Sequence, residues 1–171
     1  VDYLRPRLFD PLGIDDVSWF EAPPGRDLGF SGLHATTDAV ARLGQLYLQN
    51  GRWNDRQLLD PHWVEEATRV QVQNPGDWGP DWSQGYGLQF WMSRHGFRGD
   101  GAFGQFCLVL PEQDAVLAIT SETVQMQRVL DRVWLHLLPA FDRPGSTDAD
   151  AAVAERLASR RMPLPQAEQT P

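Results

Sequence analysis

Two uninterrupted apolar runs, Phe106 to Leu110 and Ala115 to Thr120, are separated only by Pro111-Glu112-Gln113-Asp114. That pairing constrains the fold more than any other feature. The link has the length and chemistry of a hairpin loop. Neither run alternates with polar residues, so both strands are expected to be buried on both faces. A sheet covered on two sides needs helices. Met126, Val129, Leu130, Val133, Trp134, Leu137, Leu138 and Phe141 recur at helical spacing and predict one amphipathic helix over 126–141 lying on that sheet. The expected class is α/β of the α+β type, an antiparallel sheet with flanking helices.

The remaining punctuation supports this order. Residues 2–9 read as a helix end, closed by Asp10-Pro11-Leu12-Gly13. A Pro/Gly-rich loop runs through Glu21-Ala22-Pro23-Pro24-Gly25. Thr36 or Thr37 then caps a helix with Val40, Leu43, Leu46 and Tyr47 on one stripe, which Gly51 ends as a left-handed cap. Asp60-Pro61 is an N-cap followed by proline at the first helical position, opening a short helix through Val64, Ala67 and Thr68. Residues 74–82 form a loop carrying Trp78 and Trp82. Strands are expected over 85–92 and, after the turn Arg94-His95-Gly96, from Phe97 to Gly101. Residues 142–171 read as a separate tail, partly helical and partly disordered, behind a domain over 1–141.

Composition narrows the function. A formal charge of -8, with 23 acids against 15 bases and no basic run, argues against nucleic acid or anionic lipid as a partner. No stretch is long and apolar enough to span a membrane. All 15 bases are arginine; the chain contains no lysine. The single Cys107 sits in an apolar strand, as a buried and inert thiol would. His34, His62, His95 and His136 lack metal-ligand spacing, so neither a metal nor another cofactor is expected. The chain opens on Val1 inside a helical pattern, which we read as a chain whose upstream part lies outside these residues. Compartment is left unknown.

Several phrases, taken in order, resemble the class C β-lactamase, penicillin-binding protein and esterase family of serine hydrolases. Tyr3-Leu4-Arg5, with Phe9-Asp10-Pro11-Leu12-Gly13-Ile14, resembles the helix end and PLG turn that follow that family's tyrosine motif. Gly32-Leu33-His34-Ala35-Thr36-Thr37 with Ala41-Arg42-Leu43 resembles its helix start. Gly51-Arg52-Trp53 with Leu58-Leu59-Asp60-Pro61 and Trp63-Val64 resembles the segment that follows. Gly85-Tyr86-Gly87-Leu88-Gln89-Phe90-Trp91, then Gly99-Asp100-Gly101-Ala102-Phe103-Gly104-Gln105, resembles the strands flanking the active site. The resemblance covers residues 1–141 and implies the C-terminal portion of a β-lactamase/transpeptidase-like fold.

In that family a serine attacks an acyl carbon, and a lysine one helical turn later and a tyrosine help remove its proton. With no lysine there is no Ser-x-x-Lys here, and Tyr3, Tyr47 and Tyr86 do not begin Tyr-x-Asn. The third motif falls by resemblance on Gly99-Asp100-Gly101. Gly101 would let substrate backbone approach the strand, and the Ala102 amide would be an oxyanion donor. Gly99 replaces the usual cation, which favours ester or amide substrates over the carboxylate of a β-lactam. Alternation should turn Arg98 and Asp100 to the opposite face from Gly99 and Gly101. Pocket-edge candidates are therefore Gly99, Asp100, Gly101, Ala102 and Gly104; Tyr86, Trp78 and Trp82 are candidates for the substrate pocket, or else aromatic core.

Two functions compete on this reading. The chain is part of a serine hydrolase that is inactive alone, with the missing N-terminal half of the same protein as its partner and a small ester or amide as its substrate. Alternatively, it is a non-catalytic module that keeps the shape and binds a ligand through the former pocket. A Ser-His-Asp set using Ser31 or Ser121 has no local support in the sequence.

Overall fold

A computed structural model describes residues 1–77 and 79–160. Its elements divide into two units, Val1–Val133 and Trp134 onward. In the first, a π-helical turn Arg5–Phe9 runs into α1 (Asp10–Leu12), stopped by Gly13 at φ 65°. A hairpin of β1 (Val17–Trp19) and β2 (Leu33–Ala35) follows, then α2 (Thr37–Leu48), a second small hairpin of β3 (Arg52–Trp53) and β4 (Arg56–Gln57), and α3 (Pro61–Ala67). The main sheet is an antiparallel meander in the order β5 (Trp91–Met92), β6 (Phe97–Gly101), β7 (Gln105–Leu110), β8 (Ala115–Ile119), and α4 (Met126–Arg132) comes after it. The expected fold class, helices with an antiparallel sheet, is the one observed.

The caps act as their residue types dictate. The Thr36 hydroxyl accepts from the Ala39 amide at 3.1 Å, and the Asp60 carboxylate accepts from the His62 amide at 2.9 Å. Each satisfies a donor that the first helical turn leaves without a partner. At the far end of α2, Asn50 and Gly51 take φ 51° and 79°, and the Gly51 amide returns to the Leu46 carbonyl at 2.8 Å. Gly51 could not be otherwise, since a Cβ there would stand 2.4 Å from the Leu59 carbonyl oxygen.

α2 lies against β7 and β8 at close range. A Cβ on Gly44 would come within 2.7 Å of Val116 and Cys107, so glycine is what lets helix and sheet approach. One cluster joins Ala39 and Leu46 to Phe9, Leu12 and Ile14; another joins Val40 and Tyr47 to Met92, Phe97, Cys107 and Val109. The stripe expected on α2 thus serves two cores on neighbouring flanks.

Four expectations change. Residues 85–92 are a strand only at Trp91–Met92; Gly85 at φ 102° and Gln89 at φ 66° break the extended backbone, leaving Tyr86 with isolated bridges to Val72 and Trp91. β7 is buried from Phe106 to Leu110, but β8 is half-buried throughout because it is the last strand of the sheet. The helix expected over 126–141 is α-helical only to Arg132. A π-helical turn, Val133–Leu137, and a 3₁₀ turn, Leu138–Ala140, follow it. A π turn inserts extra backbone per revolution and rotates the stripe, and Leu135, Leu137 and Phe141 are exposed. The hairpins β1–β2 and β3–β4 fall in stretches read as loop or helix link.

The second unit contains α5 (Thr147–Ser159), opened by Ser146, whose hydroxyl accepts from the Ala149 amide. All its residues are exposed. The tail expected beyond 160 lies outside the described residues. Among the described residues no helix is long and apolar enough to cross a membrane.

Cys107 is buried, its thiol donating to the Val40 carbonyl at 3.3 Å, and burial pushes its pKa up to about 11. At pH 8 roughly one folded molecule in a thousand carries the thiolate, the reactive form. We expect a thiol-disulfide reagent at pH 8 to modify Cys107 only slowly in the native chain and rapidly in urea. Equal rates in both would contradict the burial. The raised value also means that stability present below the ordinary thiol pKa is lost as pH climbs towards 11.

Candidate functional site

β6 carries the residues that the sequence singles out. Its inner edge pairs along its whole length with β7, Phe97 opposite Val109 through to Gly101 opposite Gln105. On its outer edge β5 pairs only with Arg98 and Phe97. Gly99, Asp100 and Gly101 therefore present a strand edge without a strand neighbour among the described residues. The two glycines lie on the same face as Cys107; a Cβ on Gly99 would make only an ordinary 3.6 Å contact with Cys107, and one on Gly101 would crowd Gln105 at 3.0 Å.

The turn from β6 to β7 closes this edge. Phe103 and Gly104 have φ 65° and 89°, and the Gly104 amide donates to the Gly101 carbonyl at 3.3 Å. The Ser121 hydroxyl donates to the Gly104 carbonyl at 2.7 Å, the Thr123 amide donates to the Phe103 carbonyl at 2.9 Å, and the Gln105 side-chain amide donates to the Ser121 carbonyl. Glycine at 104 is required twice over: by its φ, and because a Cβ would sit 2.4 Å from Ser121 Oγ. Ala102 is exposed and lies within this turn; neither turn hydrogen bond uses its amide. Ser121, Thr123 and Gln105 are not legible as supports in the sequence, since nothing local links residues 16 to 20 positions apart.

Asp100 faces away from the glycine edge. Arg98 and Asp100 pair across from Leu108 and Phe106, all on the face opposite Cys107, as alternation requires. Arg98 is fully buried. Its Nε donates to Asp100 Oδ2 at 2.9 Å, and its Nη1 donates to the carbonyls of Asp81 and Met92 and to Ser93 Oγ. Trp82 and Trp91 stack over the guanidinium, 4.6 Å and 5.8 Å from ring centroid to Cζ, a cation–π arrangement. Tyr86 packs edge-on against Trp91 with centroids 4.9 Å apart. Trp82 and Trp91 thus gather over Arg98, with Tyr86 packed on Trp91; Trp78 lies outside the described residues.

Burial governs the charges of this pair. It pushes the Asp100 carboxyl above the usual carboxylate range, with Arg98 pulling the other way. It likewise draws Arg98 down, against the attraction of Asp100. A guanidinium nevertheless stays protonated in proteins, so the pair is ionic. A second network anchors the tryptophan loop: buried Asp81 accepts from the Arg94 amide, from Arg94 Nη2 at 2.8 Å and from Gln127 Nε2 at 2.7 Å, and Arg94 Nη2 also reaches Asp131 at 2.7 Å. The Asp81 bond, then that to Asp131, raises Arg94 above its ordinary value. Among the described residues no three His, Cys, Asp or Glu side chains gather as a metal site.

An antiparallel meander with a glycine-edged strand, flanked by α2 and followed by α4, defines a domain of mixed helix and antiparallel sheet. The Beta-lactamase family matches residues 1–140, and the chain belongs to it. Among solved structures it is similar to a protein assigned as a 6-aminohexanoate-dimer hydrolase from Bacillus anthracis, with TM-score 0.66 and 24% identity, covering 79% of this chain and 37% of that one. A protein assigned as a beta-lactamase from Bacteroides dorei DSM 17855 matches with TM-score 0.54 and 18% identity over 70% of this chain and 44% of its own. The octameric penicillin-binding protein homologue from Pyrococcus abyssi matches with TM-score 0.59 and 16% identity over 81% and 37%. The chain thus spans less than half the length of each of these relatives, and at these identities the likeness shows the fold. No curated protein matches.

Proposed function

We propose that this chain is the distal part of a serine hydrolase acting on ester or amide bonds. It furnishes the cleft wall from Gly99 to Gly104, while the nucleophile and its lysine and tyrosine lie on a segment outside residues 1–171. The observation that carries this reading is the conjunction of a β-lactamase-family fold, a bare glycine edge on β6, and a chain without a single lysine. In this reading the Ala102 amide, standing in a turn braced by Ser121 and Thr123, serves as a donor to the developing oxyanion. Gly99 brings no cation, and Arg98 is committed to Asp100 on the other face, so recognition of a substrate carboxylate at this strand has no counterpart here.

The outer edge of β8 supports a further strand-bearing segment. Ala115-Val116-Leu117-Ala118-Ile119 has no charge, proline or bulge, the devices by which exposed edges are normally protected from pairing.

An alkyl fluorophosphonate, which phosphonylates activated serines, tests where the nucleophile resides. Intact-mass analysis of the chain after incubation should show no adduct on any of Ser18, Ser31, Ser83, Ser93, Ser121, Ser146 or Ser159. A stoichiometric adduct on one of them would place the nucleophile inside the chain and overturn this division of labour.

A further inference from the structure

We infer that an apolar pocket in the first unit, between α2 and the β1–β2 hairpin, binds one small neutral apolar molecule the size of a single aromatic ring. The site is independent of the hydrolase reading, since none of Gly99 to Gly104 lines it. Leu8 and Leu12 enter it from the π-helical turn and α1, Trp19 and Ala35 from the hairpin, and Ala39 and Leu43 from α2. Its volume is about 140 Å³. A cavity of about 150 Å³ lined by Leu, Ile and Phe in another protein stays dry and takes up benzene or xenon.

The wall offers no partner to water. Every residue lining the pocket is apolar. The one polar side-chain atom among them, Trp19 Nε1, is engaged, donating to the Ser31 carbonyl at 2.8 Å. The hairpin backbone is paired, Val17 with Ala35 and Trp19 with Leu33, and the Ala39 amide donates to the Thr36 hydroxyl. A water in the pocket would therefore lack the roughly two to four hydrogen bonds that hold buried water in place, and a charged ligand would find no counter-charge on the wall. Leu33, 41% exposed, and the half-buried Leu8 and Leu43 give the pocket an apolar rim through which such a molecule can enter.

Toluene titrated into the full chain and followed by proton–nitrogen NMR should bind saturably, one molecule per chain. It should shift the indole cross-peak of Trp19, identified by its loss in Trp19→Phe. Hydroquinone should bind at least about tenfold more weakly, because whichever end enters first carries a hydroxyl to a floor that cannot hydrogen-bond it. Ala35→Leu, which places a larger side chain in the pocket, should abolish toluene binding. Leu8→Ala, which removes part of the wall, should keep toluene binding and raise the affinity for naphthalene relative to toluene; this variant decides the matter if A35L does not fold. Toluene binding that persists in a folded A35L, hydroquinone binding as tightly as toluene, or an unchanged naphthalene-to-toluene ratio in L8A would overturn the inference. So would an absence of saturable binding, whether the chain sediments as a monomer or as a dimer whose second copy fills the pocket.

Discussion

Replacing Asp100 by asparagine should cost about 3–5 kcal/mol of folding stability, the typical penalty for leaving a buried charge without its partner. Arg98 has no exposed surface and cannot reach water by a change of rotamer: Nη1 is held by the Asp81 and Met92 carbonyls and Ser93, and Trp82 and Trp91 close over the plane. Its Nη2 has no hydrogen-bond partner among the described residues, so the pair is already short of donors satisfied. Asparagine keeps the shape and one acceptor but removes the compensating charge. Urea unfolding should show the midpoint falling with little change in slope.

The reciprocal change separates charge from shape. Arg98→Met leaves Asp100 buried and alone, and burial already raises its pKa. For a carboxyl whose folded pKa lies above the unfolded value, the stability it contributes is full below the unfolded pKa and lost as pH rises through the folded one. R98M should therefore be strongly destabilised at neutral pH and partly recover as the solution is acidified into the carboxylate range. Removing both charges in R98M/D100L should recover much of the loss of either single variant, because a buried pair replaced by apolar groups of similar volume is often neutral. Additive losses would mean that the two side chains do not act as a pair.

What the sequence made legible follows local chemistry closely. Caps at Thr36 and Asp60, the left-handed stop at Gly51 and the hairpin link at Pro111–Gln113 depend on two to four neighbouring residues, and each was readable from them. The opposition of Arg98 and Gly99 needed only the two-residue period of a strand. Features that depend on distant partners were not readable. Trp82 stands over Arg98, 16 positions away, and Tyr86 packs edge-on against Trp91, contacts that nothing nearby in the chain announces. Ser121 and Thr123 brace the turn at Phe103–Gly104 from the far side of two strands. The change from α to π geometry after Arg132 keeps the apolar spacing in sequence while altering which side chains share a face, so periodicity alone predicts a longer regular helix than forms.

The larger expected effect is catalytic. In enzymes whose nucleophile and base act as a unit, loss of the nucleophile removes on the order of six decades of rate. A wall of the cleft can orient an acyl group and stabilise its oxyanion, but without an activated hydroxyl it cannot form the acyl intermediate. Hydrolysis by residues 1–171 alone should thus fall to no more than the residual acceleration that binding and oxyanion groups provide, whereas the wall together with a segment bearing Ser-x-x-Lys and Tyr-x-Asn should turn over. The same assembly would give the β8 edge a partner.

The decisive measurement is p-nitrophenyl butanoate hydrolysis by this chain, alone and co-expressed with the Ser-x-x-Lys and Tyr-x-Asn segment that the proposed function calls for. A rate increase of at least about a thousandfold on assembly, abolished by changing that segment's serine to alanine, is the result this account predicts; the floor is set by the residual acceleration that binding and oxyanion groups give without a nucleophile. Hydrolysis by residues 1–171 alone at a rate matching the assembled form would contradict it.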